Sequence, residues 1–305
     1  MAVKTPGSLG ALQYIIENTF GTTPGNTDFE YVGFMNTMSG NGNAGEEEQY
    51  AEGSRIFDTV LYTQRSAGFS ANVSLYRDDT TAGYLWKDIL ELAYDPENDL
   101  DSFTALMRIA ADEWVAYTGC KVDTLELSAA GVGDKITAAL GIKAMRQIPT
   151  QASVAAVATA LGVTLGDTST GPSSKRPITY SSYPVATIGG ASVTIPSRSF
   201  SVKINNHLEE EPGIVGGNAY AAGEGLVPQI CDVELEYDLL STGAYWDNLK
   251  ATEDNDTPLF FITHVIGGRT FTFGKCYVDT EDHPSRAQST YTETVRIHAG
   301  SMTVV

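Results

Sequence analysis

The chain has 305 residues, 42% of them apolar and 10% aromatic, which supplies apolar surface for two cores of ordinary size and excludes a disordered protein. Lys and Arg number 19 against 38 Asp and Glu, a formal charge of −19 that argues against tight nucleic-acid binding, because phosphates require a basic face. Three cysteines (Cys120, Cys231, Cys276) without a C-x-x-C argue against a disulfide framework or a zinc site, and read as buried thiols of a protein made in a reducing cytoplasm.

The N-terminal stretch "MAVKTPGSLGALQYIIENTF" carries one lysine and no long apolar core, so no signal peptide is expected, and no apolar run approaches the length of a membrane span. A polar excursion follows, "NTMSGNGNAGEEEQYAEG" from Asn36 to Gly53, holding Glu46, Glu47, Glu48 and Tyr50. Its composition predicts a loop, and loops of this length inside compact domains tend to be functional. Ala71, Val73 and Leu75 then alternate with Asn72, Ser74 and Tyr76, the pattern of a strand buried on one face. "TTAGYLWKDILELA" opens on threonine caps and sets Leu85, Ile89 and Leu92 on one helical face. Two strands, "SFTALMRIA" and "EWVAYTGCKV", come next, and a last alternating strand carries Ile136, Ala138, Leu140 and Ile142. The Ala-rich "QASVAAVATALGV" reads as a helix, and "GDTSTGPSSKRP" (Gly166 to Pro177) as a linker.

Beyond the linker the same order returns. A second polar excursion, Asn205 to Gly225, contains His207, Glu209, Glu210, Glu211 and Tyr220. Cys231, Val233, Leu235 and Tyr237 alternate with Asp232, Glu234, Glu236 and Asp238. "STGAYWDNLKA" reads as a helix, "PLFFITHVI" and "RTFTFGKCYV" as strands joined by a turn at Gly267-Gly268, and Val295, Ile297 and Ala299 as the closing strand. Val73, Leu75, Gly83 and Trp86 meet Val233, Leu235, Gly243 and Trp246 at one constant offset. "CKVDT" at Cys120 recurs as "CYVDT" at Cys276 after a short deletion. The expectation is a duplicated, mainly β (α+β) chain of two tandem β-sandwich domains. Each has one flanking helix and a long inter-strand loop, with domains at 1–148 and 178–305 and a linker at 149–177.

Catalytic arrangements are absent from the sequence: no G-x-S-x-G, Walker loop, H-E-x-x-H or dinucleotide fingerprint occurs. His207, His264, His283 and His298 lie far apart. "HLEEE" at His207 and the cluster Asp279, Glu281, Asp282, His283 read as solvated charge rather than cation sites. Cys120 and Cys276 share an apolar strand face with Val122 and Val278, as core residues do, and no basic group is placed to lower their pKa. No enzymatic activity, metal or cofactor is expected.

"ENTFGTTP", Glu17 to Pro24, resembles the E-x-x-F/Y-G-T-T-P opening of the major tail tube proteins of long-tailed bacteriophages, and "SRSFSVKINNHLE" (Ser197 to Glu209) is similar to a strand of that family leading into its long loop. The resemblance covers most of the chain and rests chiefly on the order of its elements. It implies β-sandwich domains, each with a flanking helix, whose inner sheets join edge to edge into rings that stack as a tube. The doubled chain resembles the siphophage subunits that form trimeric, pseudo-hexameric rings. The implied partners are the chain itself, a tape measure protein in the lumen, tail terminator and distal tail proteins, and viral DNA in transit without specific binding. The implied location is the virion tail, assembled in the host cytoplasm, with no membrane insertion. On this resemblance Asp232, Glu234, Glu236 and Asp238 form either a lumen lining or an outer solvated face. Glu46, Glu47, Glu48, Tyr50, His207, Glu209, Glu210, Glu211 and Tyr220 are candidate inter-ring loop residues. A contractile-tail inner tube is a variant of the same reading. An adhesin of duplicated sandwiches and a hydrolase with scattered carboxylates are the alternatives from other classes.

Overall fold

A computed structural model describes residues 11–26, 28–50, 57–78, 87–95, 99–110, 113–165, 175–188, 190–215, 218–228, 230–239, 260–282 and 293–305. The fold is mainly β, as expected. The first half contains β1 (Ala11–Ile16), β2 (Glu30–Tyr50), β3 (Phe57–Ser74), β4 (Tyr76–Asp78), α1 (Lys87–Ala93), β5 (Phe103–Ala110), β6 (Glu113–Ala129), β7 (Thr137–Ala144), β8 (Arg146–Gln151) and α2 (Val154–Leu161). The second half contains β9 (Lys175–Pro177), β10 (Val185–Ile188), β11 (Ala191–Thr194), β12 (Ser197–Asn205), β13 (Leu208–Val215), β14 (Asn218–Pro228), β15 (Asp232–Leu239), β16 (Phe260–Ile266), β17 (Arg269–Asp282) and β18 (Glu293–Val304).

In the first half the strands pair antiparallel in the order β6-β5-β1-β2-β3-β7, and β7 returns to β6, so the sheet closes on itself. Closure depends on β6. Its N-terminal part pairs with β5 on one edge and β8 on the other, and its C-terminal part pairs with β12 and β7. Two β-bulges separate these parts: Gly119 takes φ 62, and the register with β7 shifts between Val122 and Thr124. Bulges bend a strand and increase its twist, which lets one strand take different neighbours along its length. "CKVDT" is the segment between and across these bulges.

The second half runs β12-β15-β18-β17-β16-β10-β11. "CYVDT" occupies the same place in it. Lys275, directly before Cys276, takes φ 53, and the register with β18 shifts between Val278 and Thr280. Phe103 faces Cys120 and Phe260 faces Cys276, each next to a shift. Both thiols donate to the carbonyl three residues back, Tyr117 and Phe273, at 3.4 Å. The ladder rows correspond: Gly40, Phe69, Ile142 and Val122 in one half; Val202, Leu235, Ile297 and Val278 in the other. The row of Leu235 thus matches Phe69 and not the Leu75 that the sequence offset pairs with it. Both matches keep the residue on the core face, because the strand period is two.

The halves share one sheet. β12 pairs with β6, setting Phe200, Val202 and Ile204 opposite Ala129, Leu127 and Leu125, all buried in one continuous apolar cluster. Burying the larger of these side chains contributes roughly 1.5–3 kcal/mol each.

Several expectations are refined. The polar excursions are not irregular loops. Glu46, Glu47, Glu48 and Tyr50 lie in β2, opposite Tyr62, Leu61, Val60 and Phe57 of β3. Glu209, Glu210 and Glu211 lie in β13, and Tyr220 lies in β14 opposite Gly213. Polar, Gly-rich strands lack the burial alternation that announces a strand, yet pairing still satisfies their backbone. α1 buries Leu90 and Leu92, while residues 79–86 and the expected helix at 241–251 lie outside the described residues. α2 forms where expected: Ser153 Oγ accepts from Ala156 N, Gly162 ends it at φ 73, and Val157 packs with Ile15, Leu106 and Ile148. Residues expected at the linker's end return to the first half, with β9 pairing β4 and Ile178 N donating to Leu75 O. Gly267 and Gly268 make the expected hairpin turn, with φ 60 and 82.

The two equivalent bulge positions give opposite expectations on substitution. A Cβ on Gly119 would stand 2.7 Å from Met145 Cβ and 3.1 Å from the Phe20 ring, at a φ that disfavours side chains. Gly119→Ala should cost about 2–3 kcal/mol in urea denaturation, from strain and steric overlap together. Lys275→Gly should be neutral or stabilise by about 0.5–1 kcal/mol, since the αL strain is relieved there.

Candidate functional site

Cys120, Cys276 and His264 are buried and neutral. Cys120, Cys231 and Cys276 are free thiols. Burial pushes Cys120 well above its ordinary pKa, with the Glu17 carboxylate adding to the effect. Burial likewise raises Cys231 to about 11 and Cys276 to about 12. His264 is fully buried beside the rings of Phe200, Tyr180 and Tyr237, and its Nε2 lies 3.2 Å from Ser182 O. Burial lowers its pKa to about 4, the Ser182 carbonyl opposing only in part. Among the described residues no group of three or more His, Cys, Asp and Glu could hold a metal ion. The arrangement is one of structural contacts.

"ENTFGTTP" is a clamp on the first bulge. The buried Glu17 carboxylate accepts from Gly21 N (2.8 Å), Gly119 N (3.0 Å) and Thr104 Oγ1 (2.7 Å), and the Thr104 hydroxyl lies 2.8 Å from that of Thr23. Phe20 lies under Lys121, with Nζ 5.7 Å from the ring centroid. The two sequence signatures, distant along the chain, therefore meet at Gly119.

A second polar assembly ties the hairpin β13–β14 of the second half to "CKVDT" of the first. Asn206 is buried, and its Nδ2 donates to Ala93 O and Val122 O, both at 2.9 Å, while its N–H donates to Asp123 O at 2.8 Å. His207 takes φ 45 and turns the chain out of the sheet. Asp123 Oδ1 accepts from Leu208 N at 2.8 Å, and Lys143 Nζ donates to Leu208 O. Lys121, only 2% exposed, donates to Asp99 at 2.6 Å and to Leu226 O at 2.9 Å. Each charge is neutralised or hydrogen-bonded, which buried polar groups require. Residue-type patterns did not reveal Lys121, Asp123 and Asn206 as latch residues. The one available signal was their position in, or just before, the repeated and excursion segments.

The predicted acidic row lies on one face of β15 and is laced to its neighbours. Asp232 is 2.8 Å from His207 Nε2, Glu234 is 3.9 Å from Lys203, and Glu236 is 2.8 Å from Arg296 Nε. Asp238 accepts from Ser199 Oγ and Thr294 Oγ1. Asp232 and Glu234, with Glu126, His207 and His298, line a cleft of about 500 Å³ where the two halves join. His207 is brought to this face, beside Asp232. Glu46, Glu47, Glu48 and Tyr50 lie along the hairpin β2–β3, and Glu209, Glu210, Glu211 and Tyr220 along β13–β14.

Compared with known proteins, the chain matches the model of a family described as phage tail tube protein over residues 7–292. No curated protein matches it.

Two measurements probe the clamp and the buried histidine. Glu17→Gln should cost about 2–3 kcal/mol in chemical denaturation, because an amide cannot accept all three donors and brings two of its own into a buried site. His264 is neutral in the fold, with a pKa of about 4 against 6.5 unfolded. Its contribution is therefore complete above pH 6.5 and is lost as pH falls toward 4, when the unfolded chain takes up the proton first. Relative to His264→Phe, the protein should lose up to about 3 kcal/mol across that window.

Proposed function

The chain belongs to the phage tail tube protein family, and we propose that three copies close into a pseudo-hexameric ring, each chain supplying two tube domains by internal duplication. It is a structural component of the virion tail that assembles into the tube and contacts other tail proteins, and it is not an enzyme. In our reading residues 1–148 and 178–305 are the duplicated domains and 149–177 the connection. The tube conducts viral DNA during ejection, is assembled in the host cytoplasm around a tape measure protein, and is bounded by tail terminator and distal tail proteins.

The observation that carries the ring reading is the joint β6–β12. One tube-type half already meets another edge to edge within the chain, antiparallel, with the hairpin of the second latched over the first. A contact of this kind is heterologous. It propagates, and it closes when the rotation per step divides the circle. Edge strands that would otherwise invite aggregation become interfaces. The hairpins β2–β3 and β13–β14, with Glu46–Glu48, Tyr50, Glu209–Glu211 and Tyr220, are the parts that reach toward a stacked ring. The polar face of β15, with Asp232 and Glu234 in the cleft and Glu236 and Asp238 beyond it, is the segment we assign to the lumen.

Negative-stain electron microscopy of the purified protein at high concentration should show stacked rings with six-lobed end views, and mass measurement should give three chains per ring. A dispersed monomer under those conditions would sink the reading. Because Glu234 and Glu236 sit against Lys203 and Arg296, Asp232→Asn, Glu234→Gln, Glu236→Gln and Asp238→Asn together uncover positive charge. Rings should still form, and genome ejection should slow as phosphates dwell on the wall. Ejection at the unaltered rate would remove these residues from the lumen.

A further inference from the structure

The internal joint uses one copy of the repeated pentapeptide, and among the described residues no strand pairs with the equivalent edge around the other copy. β6 is bulged at Gly119 and after Val122, and its edge from Thr124 to Ala129 then receives β12, with Thr124 opposite Asn205 and Glu126 opposite Lys203. β17 is bulged at the matching places, Lys275 and after Val278. Thr280, Glu281 and Asp282 pair with β18 on one edge. Among the described residues the other edge meets no strand. The counterpart of β12 is β2, since the row of Val202 matches that of Gly40. From Met35 onward β2 pairs only with β3 among the described residues, so its other edge is also open.

Around these edges the chemistry differs. Lys121 and Lys143 face each other across β6 and β7 and hold the root of β13–β14. The same ladder positions in the second half are Tyr277 and His298, whose rings stack 5.3 Å apart at 17°. Tyr277 is 51% exposed, where Lys121 is 2%. Leu125 and Leu127 correspond along the chain to Glu281 and His283, and Val202 and Ile204 correspond by ladder row to Gly40 and Gly42. The internal joint is thus part of an apolar core, as two segments that never separate can be. The open one is polar and Gly-rich, as edges exposed before assembly must be to stay soluble.

We propose that the open edge of β17 receives a second copy of this chain in the register of the internal joint. Thr280 pairs with Asn43 and Asp282 with Asn41 of that copy, and the Tyr277–His298 stack receives the root of its hairpin β2–β3 where Lys121 and Lys143 receive β13–β14. This rests on the ring reading, and it names the edges, the register and the platform that make the joint between chains. Alternate joints around the ring then differ: an apolar core with a lysine latch within each chain, main-chain pairing with an aromatic platform between chains.

The test uses full-length protein carrying Cys231→Ser, with either Asn43→Cys and Thr280→Cys or, as a register control, Ser39→Cys and Thr280→Cys. Each is treated with a short bis-maleimide at assembling concentration, and the same sample is viewed by electron microscopy. The expected result is rings in both, with chains linked to one another in the Asn43/Thr280 protein and not in the control. Rings with linkage in the control alone, or in neither, overturn the assigned edges and register while leaving the ring reading in place. Absence of rings overturns both. Tyr277→Ala should raise the concentration needed for ring assembly about tenfold and leave the denaturation midpoint of the dispersed chain unchanged. An unchanged assembly threshold would remove Tyr277 from the joint.

Discussion

The structure depends on one bent strand. β6 must be long enough to pair with four strands and must change neighbours along its length without losing its hydrogen bonds. The two bulges around "CKVDT" meet that requirement: Gly119 in the αL region before Cys120, and a register shift after Val122. A regular strand of the same length would keep one pair of neighbours throughout. The bulged one exchanges β5 and β8 for β12 and β7 along its length. From that exchange follow the closed first half and the edge offered to β12.

The bend is held from outside by polar groups whose burial leaves them little freedom. Glu17 gathers donors from Gly21, Gly119 and Thr104, so the N-terminal arm and the bulge fix each other. Asn206, Asp123, Lys121 and Lys143 perform the corresponding task between the halves. Such groups are costly when unpaired, and that cost makes them specific: a small displacement leaves several donors without acceptors at once. A subunit whose place in a tube is set by geometry benefits from a joint of this kind, because angular error at each contact accumulates along the assembly. The acidic row of β15 is different in nature. Its pairs with Lys203, Arg296 and His207 are partly exposed and contribute little to stability, so the row is available to shape the potential of the face.

Alternation made most of the core legible. Ala71, Val73, Ile136, Ala138, Leu140, Ile142, Val295 and Ile297 were expected inside and are buried, because a half-buried strand leaves a period of two in the sequence. α2 was legible from its composition. The hairpins β2–β3 and β13–β14 were not, since Gly-, Asn- and Glu-rich segments show no apolar alternation in sequence and read as loops. The latch was missed for another reason. Lys121 stands at a position that alternation assigns to solvent, and it is covered by segments far along the chain, Phe20, Asp99 and Leu226.

The sequence by itself determined the β class, the core positions, the likeness between the two halves and the absence of catalytic motifs, all of which are written in local residue patterns. Tertiary structure alone decided how the halves meet. The edge of β6 that receives β12, the matching row of Phe69 and Leu235, the burial of Glu17 against Gly119 and the exposure of Tyr277 depend on contacts between distant segments. A bulge shows why: it changes which partner a strand faces without changing the period-two pattern that the sequence displays.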